Sequence, residues 1–272
     1  MPHVTSHDGL ELAYERTGSG APLFLIHANG FCKELWRPVV RLLPGFDAVA
    51  LDQRGHGSSS VGTAPFDWWD LGRDVLSLVA ALGPAAPRVG VGHSSGGAAM
   101  AMSEILHPGT WDRLVLIEPI TFPESLGRDG ARHMVEAALR RREAFATREE
   151  ARAAFYGRGP FAHWTDEMLE LYVEHGFRDG TDGRRHLACA PETEAEYYRV
   201  SDAHGTWERL GEIRCPVTIV VGNGSDTHPD DFAISLTAQF GTGELVSVSR
   251  STHFVPMEQP EEIARVIGTT RH

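Results

Sequence analysis

Cysteine is scarce in this chain. Its three cysteines, Cys32, Cys189 and Cys215, lie far apart along 272 residues. An odd number without close spacing excludes a disulfide framework and a thiolate zinc cluster, and it fits a reducing compartment. Positive charge is also short: 25 Lys and Arg stand against 37 Asp and Glu, a formal charge of −12. That balance disfavours nonspecific attachment to nucleic acid or to an anionic membrane, and otherwise serves solubility. No apolar run approaches membrane-spanning length. The opening residues, Met1 to Gly9, carry neither a basic segment nor an apolar one, so no secretory signal is visible and a cytoplasmic location is expected. Internal repeats and low-complexity tracts are missing. The 14 histidines are scattered, with no His-x-x-x-His pair on a helix, and predict no metal site.

What is present is a succession of short apolar runs separated by helical stretches. Leu10 to Arg16 alternates apolar and polar residues, as a half-exposed edge strand does. Pro22 to His27 and Arg113 to Glu118 are continuous apolar runs, suited to central strands covered on both faces. Phe46 to Leu51, Val217 to Val221 and Glu244 to Val248 read as further strands. Between them, Leu35 to Leu43, Asp67 to Leu82, Asp230 to Phe240 and Pro260 to Ile267 have helical spacing, the second stopped by Gly83-Pro84. Strands alternating with helices predict an α/β fold, a mostly parallel sheet with helices on both faces.

From Thr121 to about Leu210 the period changes and no buried strand is visible. Charge-rich amphipathic helices are expected over Ala131 to Phe145, Glu149 to Phe155, Asp166 to His175 and Glu192 to Asp202. Thr147 and Glu150 have the spacing of a capping box for the second of these. Residues 1–120 and 211–272 therefore read as one α/β core, and 121–210 as an inserted helical cap.

The chemistry centres on Gly92-His-Ser-Ser-Gly96. A β-branched run, Val89 to Val91, leads into it, and the helix-forming run Ala98 to Met102 follows. Strand, tight turn and helix in that order are the setting of a nucleophile elbow, with Ser94 at the apex. The two glycines let strand and helix approach closely, and the helix N-terminus adds positive potential where an oxyanion would form.

Five segments then occur in one order: His27-Ala-Asn-Gly30, Asp52-Gln-Arg-Gly-His-Gly57, Gly92-His-Ser-Ser-Gly96, Gly222-Asn-Gly-Ser-Asp226 and His253-Phe-Val-Pro-Met-Glu258. In these the sequence resembles the α/β-hydrolase superfamily, in its cap-bearing branch. The resemblance implies that Ser94 is the nucleophile and His253 the general base. A serine hydroxyl needs such a base, and imidazole titrates near working pH. The third member, an acid to hold the imidazole, is expected at Asp226, with Glu118 as the alternative. The oxyanion hole is expected from the backbone N–H groups of Asn29 and Ser95. Ala28 stands where the superfamily has glycine, which requires a negative φ there. Asn29 could also lend its side-chain amide. His93 is expected to pack beneath the elbow, and His27 and His56 to fix their own loops.

These roles imply hydrolysis of a small-molecule carboxylic ester or lactone through an acyl-enzyme, with no cofactor. Serine at the apex argues against haloalkane dehalogenase and epoxide hydrolase chemistry, for which similar folds use aspartate. Cleavage of carbon–carbon bonds, thioesters or amides by the same triad, cofactor-free haloperoxidase activity and a non-catalytic ligand-binding receptor are the alternatives. Phe31, Phe122, Phe161, Trp164 and Trp207 either line an apolar pocket or form the small core of the cap. Oligomeric state is not encoded in any of these features.

Overall fold

A computed structural model describes residues 1–82, 88–124 and 129–269. The expected Gly83-Pro84 helix stop lies outside the described residues. Six strands come first: β1 (His3–Thr5), β2 (Glu11–Gly18), β3 (Ala21–Ile26), β4 (Phe46–Leu51), β5 (Val89–His93) and β6 (Arg113–Ile117). Helices α1 (Arg37–Arg41), α2 (Trp69–Leu82) and α3 (Ser95–Leu106) connect the later ones. An insertion follows, with helices α4 (Asp129–Leu139), α5 (Arg148–Phe155), α6 (Asp166–His175) and α7 (Pro191–Arg199) and short strands β7 (Ala144–Phe145), β8 (Phe177–Asp179) and β9 (Arg185–Leu187). The chain closes with β10 (Val217–Gly222), α8 (Asp230–Thr237), β11 (Gly243–Val248), α9 (Val255–Glu258) and α10 (Pro260–Gly268).

The main sheet has eight strands in the order β1-β2-β4-β3-β5-β6-β10-β11. Only the pairings of β2, with β1 and with β4, are antiparallel. The others run parallel. Strand alternation sends side chains to two separate cores. Phe24 and Ile26 of β3 join Val75 and Leu78 of α2 and Ala98 and Met102 of α3. Leu23 and Leu25 point the other way, to Trp36, Val39 of α1 and Ile263 and Ile267 of α10. Each such fully buried side chain contributes about 1.5–3 kcal/mol, and the double covering explains why these strands read as unbroken apolar runs. β2 is not the edge strand its alternation suggested. Val4 of the three-residue β1 pairs with Leu12 and covers it. None of the described helices is long and apolar enough to cross a membrane.

Within the insertion, the stretch expected as one helix from Ala131 to Phe145 stops at Leu139, and Ala144–Phe145 becomes a strand. A small antiparallel sheet, β7-β9-β8, results. The Gly-rich breaker after Arg178 closes its hairpin, with Gly180 N–H donating to Arg184 O at 2.7 Å. α5 starts as its spacing predicts. Thr147 Oγ1 accepts the Glu150 N–H at 3.1 Å, while the Glu150 carboxylate takes the N–H of Ala146 (2.6 Å), one residue before the cap.

Candidate active site

β5 ends at His93 and α3 begins at Ser95, so Ser94 alone makes the turn, at φ 56° and ψ −117°. A non-glycine residue held there costs about 1–3 kcal/mol and must be constrained by its surroundings. Ser94 N–H donates to Ile117 O (2.9 Å), and Ser94 O accepts from Ile120 N–H and Ala98 N–H (3.2 Å each). The flanking glycines have a steric reason. A Cβ on Gly92 would strike the backbone of Gly96, and one on Gly96 would strike the carbonyl oxygens of Ile26 and His27.

The loop after β3 lies against this turn and is braced by two buried histidines. His27 Nδ1 donates to Ala28 O (2.7 Å), and its Nε2 accepts the Gln53 N–H (3.1 Å). His56 Nδ1 donates to Arg54 O (3.0 Å), and its Nε2 accepts the Gly30 N–H (2.8 Å). Each ring thus ties its own loop to the other's. Both tasks need a neutral imidazole. Burial, foremost, pushes His27 down to about 4 and His56 to about 3. Gln53 adds a third tie: its Nε2 donates to His27 O (2.6 Å) and to Ser95 Oγ (3.0 Å).

The N–H groups of Asn29 and Ser95 are left over. Both residues are buried, at 7% and 1% exposure, and among the described residues neither N–H has an acceptor. Ser95 is the first residue of α3, where an N–H has no partner within the helix. Ala28 keeps a negative φ, because Gly30 (φ 81°) takes the left-handed position of this loop. The Asn29 side-chain amide is engaged elsewhere, donating to Glu194 O at 3.1 Å. Glu194 pairs with Arg141, Arg141 bonds the Tyr172 hydroxyl (2.7 Å), and that hydroxyl reaches Gly30 O (3.4 Å). Gln53→Ala removes the tie between the two N–H-bearing segments. It is expected to lower kcat about tenfold, on the order of the cost of leaving buried hydrogen-bond partners unpaired, with little change in KM; steady-state kinetics measure it.

His253 lies in the loop between β11 and α9. Its carbonyl accepts from His93 Nε2 (2.9 Å), and the two rings are 5.2 Å apart between centroids, so its loop packs directly on the residue preceding Ser94. His93 is fully buried and held neutral, pushed down to about 3 chiefly by that burial. His253 Nδ1 donates to a carboxylate at 3.0 Å, and that carboxylate is Glu118, not Asp226. Asp226 sits exposed in the turn after β10. The correction has a geometric cause. Glu118 follows the last residue of β6, beside β10, and its Oε1 accepts the N–H of Gly222 (2.9 Å). That bond places its carboxylate at the end of β10, beside His253. The turn still serves the carboxylate, through Ser225 Oγ (2.8 Å) and His228, whose Nδ1 lies 2.7 Å from Oε2. Burial pushes the Glu118 carboxyl up, but the hydrogen bonds and charges of His228 and His253 outweigh it and hold it down at about 2. Glu118 has a left-handed backbone (φ 49°), a second strained non-glycine residue at the site.

The model of the Alpha/beta hydrolase family matches residues 23–266, which takes in every segment just described. This chain belongs to that family. A non-heme haloperoxidase of Rhodococcus erythropolis is 32% identical over 194 residues, covering 67% of this chain and 69% of that protein. The (E)-2-((N-methylformamido)methylene)succinate hydrolase of Acinetobacter baylyi is 21% identical over 92% of this chain and 90% of its own. Among solved structures, an E-2-(acetamidomethylene)succinate hydrolase superposes with TM-score 0.86 at 22% identity, over 98% of this chain and 96% of that one.

In this α/β hydrolase the five aromatic residues expected near the site fall into two groups. Phe31, Phe161 and Trp164 join Tyr172 and Phe254 in a buried cluster that also holds Met168 and Met257. Phe254 links it to the His253 ring, 5.3 Å away. Phe122 and Trp207 pack instead on Phe232 of α8, at 5.1 and 5.7 Å. Gln53 stands inside the Asp52–Gly57 motif, next to Asp52, whereas Glu194, Arg141, Tyr172 and His228 carry no local signature. Two groups of donor atoms come within 4.8 Å of one another among the described residues, Glu118 with His228 and His253, and His7 with Asp8 and Asp74. The carboxylate of the first is taken by its histidines, and Arg54 pairs with Asp74 and Asp8 of the second.

Proposed function

We propose that this α/β hydrolase cleaves a carboxylic ester or lactone through an acyl-enzyme on Ser94, with His253 as base, Glu118 as the acid that orients it, and the Asn29 and Ser95 amides as the oxyanion hole. One observation supports this above the others: Nδ1 of His253 is committed to Glu118, which leaves Nε2 as the nitrogen free to take a proton. Ser94 Oγ attacks the carbonyl carbon as its proton passes to His253 Nε2. The developing oxyanion is received by the two amides, each worth on the order of 3 kcal/mol in the barrier. His253 then protonates the leaving alkoxide. A water gives up a proton to the same nitrogen, attacks the acyl carbon and frees the acid, restoring Ser94. The insertion acts as a cap, and its aromatic cluster beside Phe254 favours an apolar acyl group.

A second reading is amide cleavage by the same steps with an amine leaving group. The resemblance to a hydrolase of an N-acylated aminomethylene succinate, through the insertion as well as the core, favours it. A fluorophosphonate probe tests the shared claim. Stoichiometric labelling at Ser94 is expected, with none in Ser94→Ala. A folded wild-type protein that takes up no label and turns over neither p-nitrophenyl esters nor acyl anilides would overturn it, and would favour a ligand-binding role.

A further inference from the structure

We infer that Trp164 sets the specificity of this site, its indole N–H donating a hydrogen bond to a neutral oxygen part-way along the acyl chain of the substrate. The inference rests on the serine-hydrolase reading above, and it makes the preferred acyl group an apolar chain with one oxygen in it.

Trp164 is 9% exposed. An indole N–H only donates, and a buried one ordinarily finds an acceptor. Trp68, Trp69 and Trp111 do so, donating to Tyr197 O (3.1 Å), His204 O (2.9 Å) and Ser103 Oγ (2.9 Å). Nε1 of Trp164 is buried and has no acceptor among the described residues. Trp36 shares that condition, but it belongs to the core behind the sheet, with Val39 and Ile263. Trp164 stands at the site.

Its neighbours fix its place. Phe31, two residues past Asn29, lies 5.1 Å away between ring centroids, and Phe254, next to His253, lies 6.2 Å away. Those two rings are themselves 6.0 Å apart. Trp164 therefore covers the junction between the loop that carries the Asn29 amide and the loop that carries His253, the two loops packed on either side of the Ser94 turn. Thr165 anchors it there. Its N–H donates to Met257 O of α9 (3.1 Å), and its Oγ1 accepts the Met168 N–H of α6 (3.3 Å). Phe161, at 4.8 Å, offers no acceptor, and the Tyr172 hydroxyl is engaged with Arg141 and Gly30 O.

A donor left unpaired among buried rings is destabilising, and an acyl chain lying under Trp164 relieves that cost if it carries an acceptor. Charge decides which acceptor. Arg141 is already paired with Glu194, and a carboxylate among these rings would be buried without a counter-charge. An ether, ketone or amide oxygen accepts the same hydrogen bond and brings no charge.

The experiment uses the full chain and p-nitrophenyl esters of straight alkanoates from butanoate to octanoate. Each is compared, by kcat/KM, with analogues in which one methylene is an ether oxygen, moved stepwise along the chain. An ether oxygen has nearly the size of a methylene but gives up its water on burial, so without a donor every analogue is the poorer substrate. In the wild type one position is expected to stand out, about three- to tenfold better than its neighbours relative to the parent ester, the worth of one neutral hydrogen bond. Trp164→Phe keeps a ring and removes the N–H, and it is expected to level that position with the rest; because the ratio to the parent ester is read, a general loss of activity cancels. A flat wild-type profile, or a favoured position that survives in Trp164→Phe, overturns the inference. Should Trp164→Phe not fold, the wild-type profile decides alone. Labelling of Ser94 by the fluorophosphonate separates the failures: a labelled enzyme with a flat profile, or with no turnover of the series, fails this inference only, and an unlabelled one fails the reading beneath it.

Discussion

Glu118→Gln is expected to lower kcat/KM by about 10³- to 10⁴-fold, the loss seen when a triad carboxylate becomes an amide, whereas Asp226→Asn should leave it within about twofold, as an exposed substitution away from the chemistry does. The amide carries no charge to offset a protonated His253. It can also present its NH2 group to Nδ1, which forces the hydrogen onto Nε2, the nitrogen that must accept from Ser94. The comparison needs only steady-state kinetics of the two variants on one ester. A dead Asp226→Asn enzyme beside an active Glu118→Gln enzyme would return the acid to the turn after β10.

A steep loss of stability on mild acidification is the second large effect. His27, His56 and His93 are buried, and burial lowers them to about 4, 3 and 3, against an ordinary value of 6.5. As pH falls through 6.5 the unfolded chain binds protons that the folded chain refuses, so stability drops until the folded values are reached. Each group contributes up to about 1.4 kcal/mol per pH unit, so the three together remove about 3–4 kcal/mol between pH 6 and pH 5. That is a large part of the 5–15 kcal/mol typical of a domain. Glu118 adds to the loss below 4.5, because its folded value of about 2 is depressed. Urea midpoints at pH 7, 6 and 5 measure the slope. A stability unchanged over that range would mean the three rings take up protons in the fold.

The features that sequence revealed are those set by near neighbours. Continuous apolar runs marked β3 and β6 because both faces of those strands are covered. The Asp166–His175 helix has the bounds its pattern implied. Gly-x-Ser-x-Gly described a turn whose steric demands fall mostly within five residues. The missed features depend on distant partners or very short pieces. β1, β8 and β9 have three residues each and β7 two, too few to show a period. Asp226 and Glu118 both stand just past strands that are neighbours in the sheet. Which one meets His253 depends on how far each side chain reaches across the sheet end, and linear order is silent on that. Gln53 and Glu194 owe their places to contacts 42 and 165 positions away along the chain.

The hydrogen bonds that join the insertion to Asn29 and Gly30 also constrain how any substrate gets in. Glu194, Arg141 and Tyr172 all belong to the insertion, while the amide of Asn29 belongs to the oxyanion hole proposed above. Any displacement of the insertion would therefore pull on the same loop through these bonds, so the contacts that hold the insertion down also set the shape of the proposed anion site.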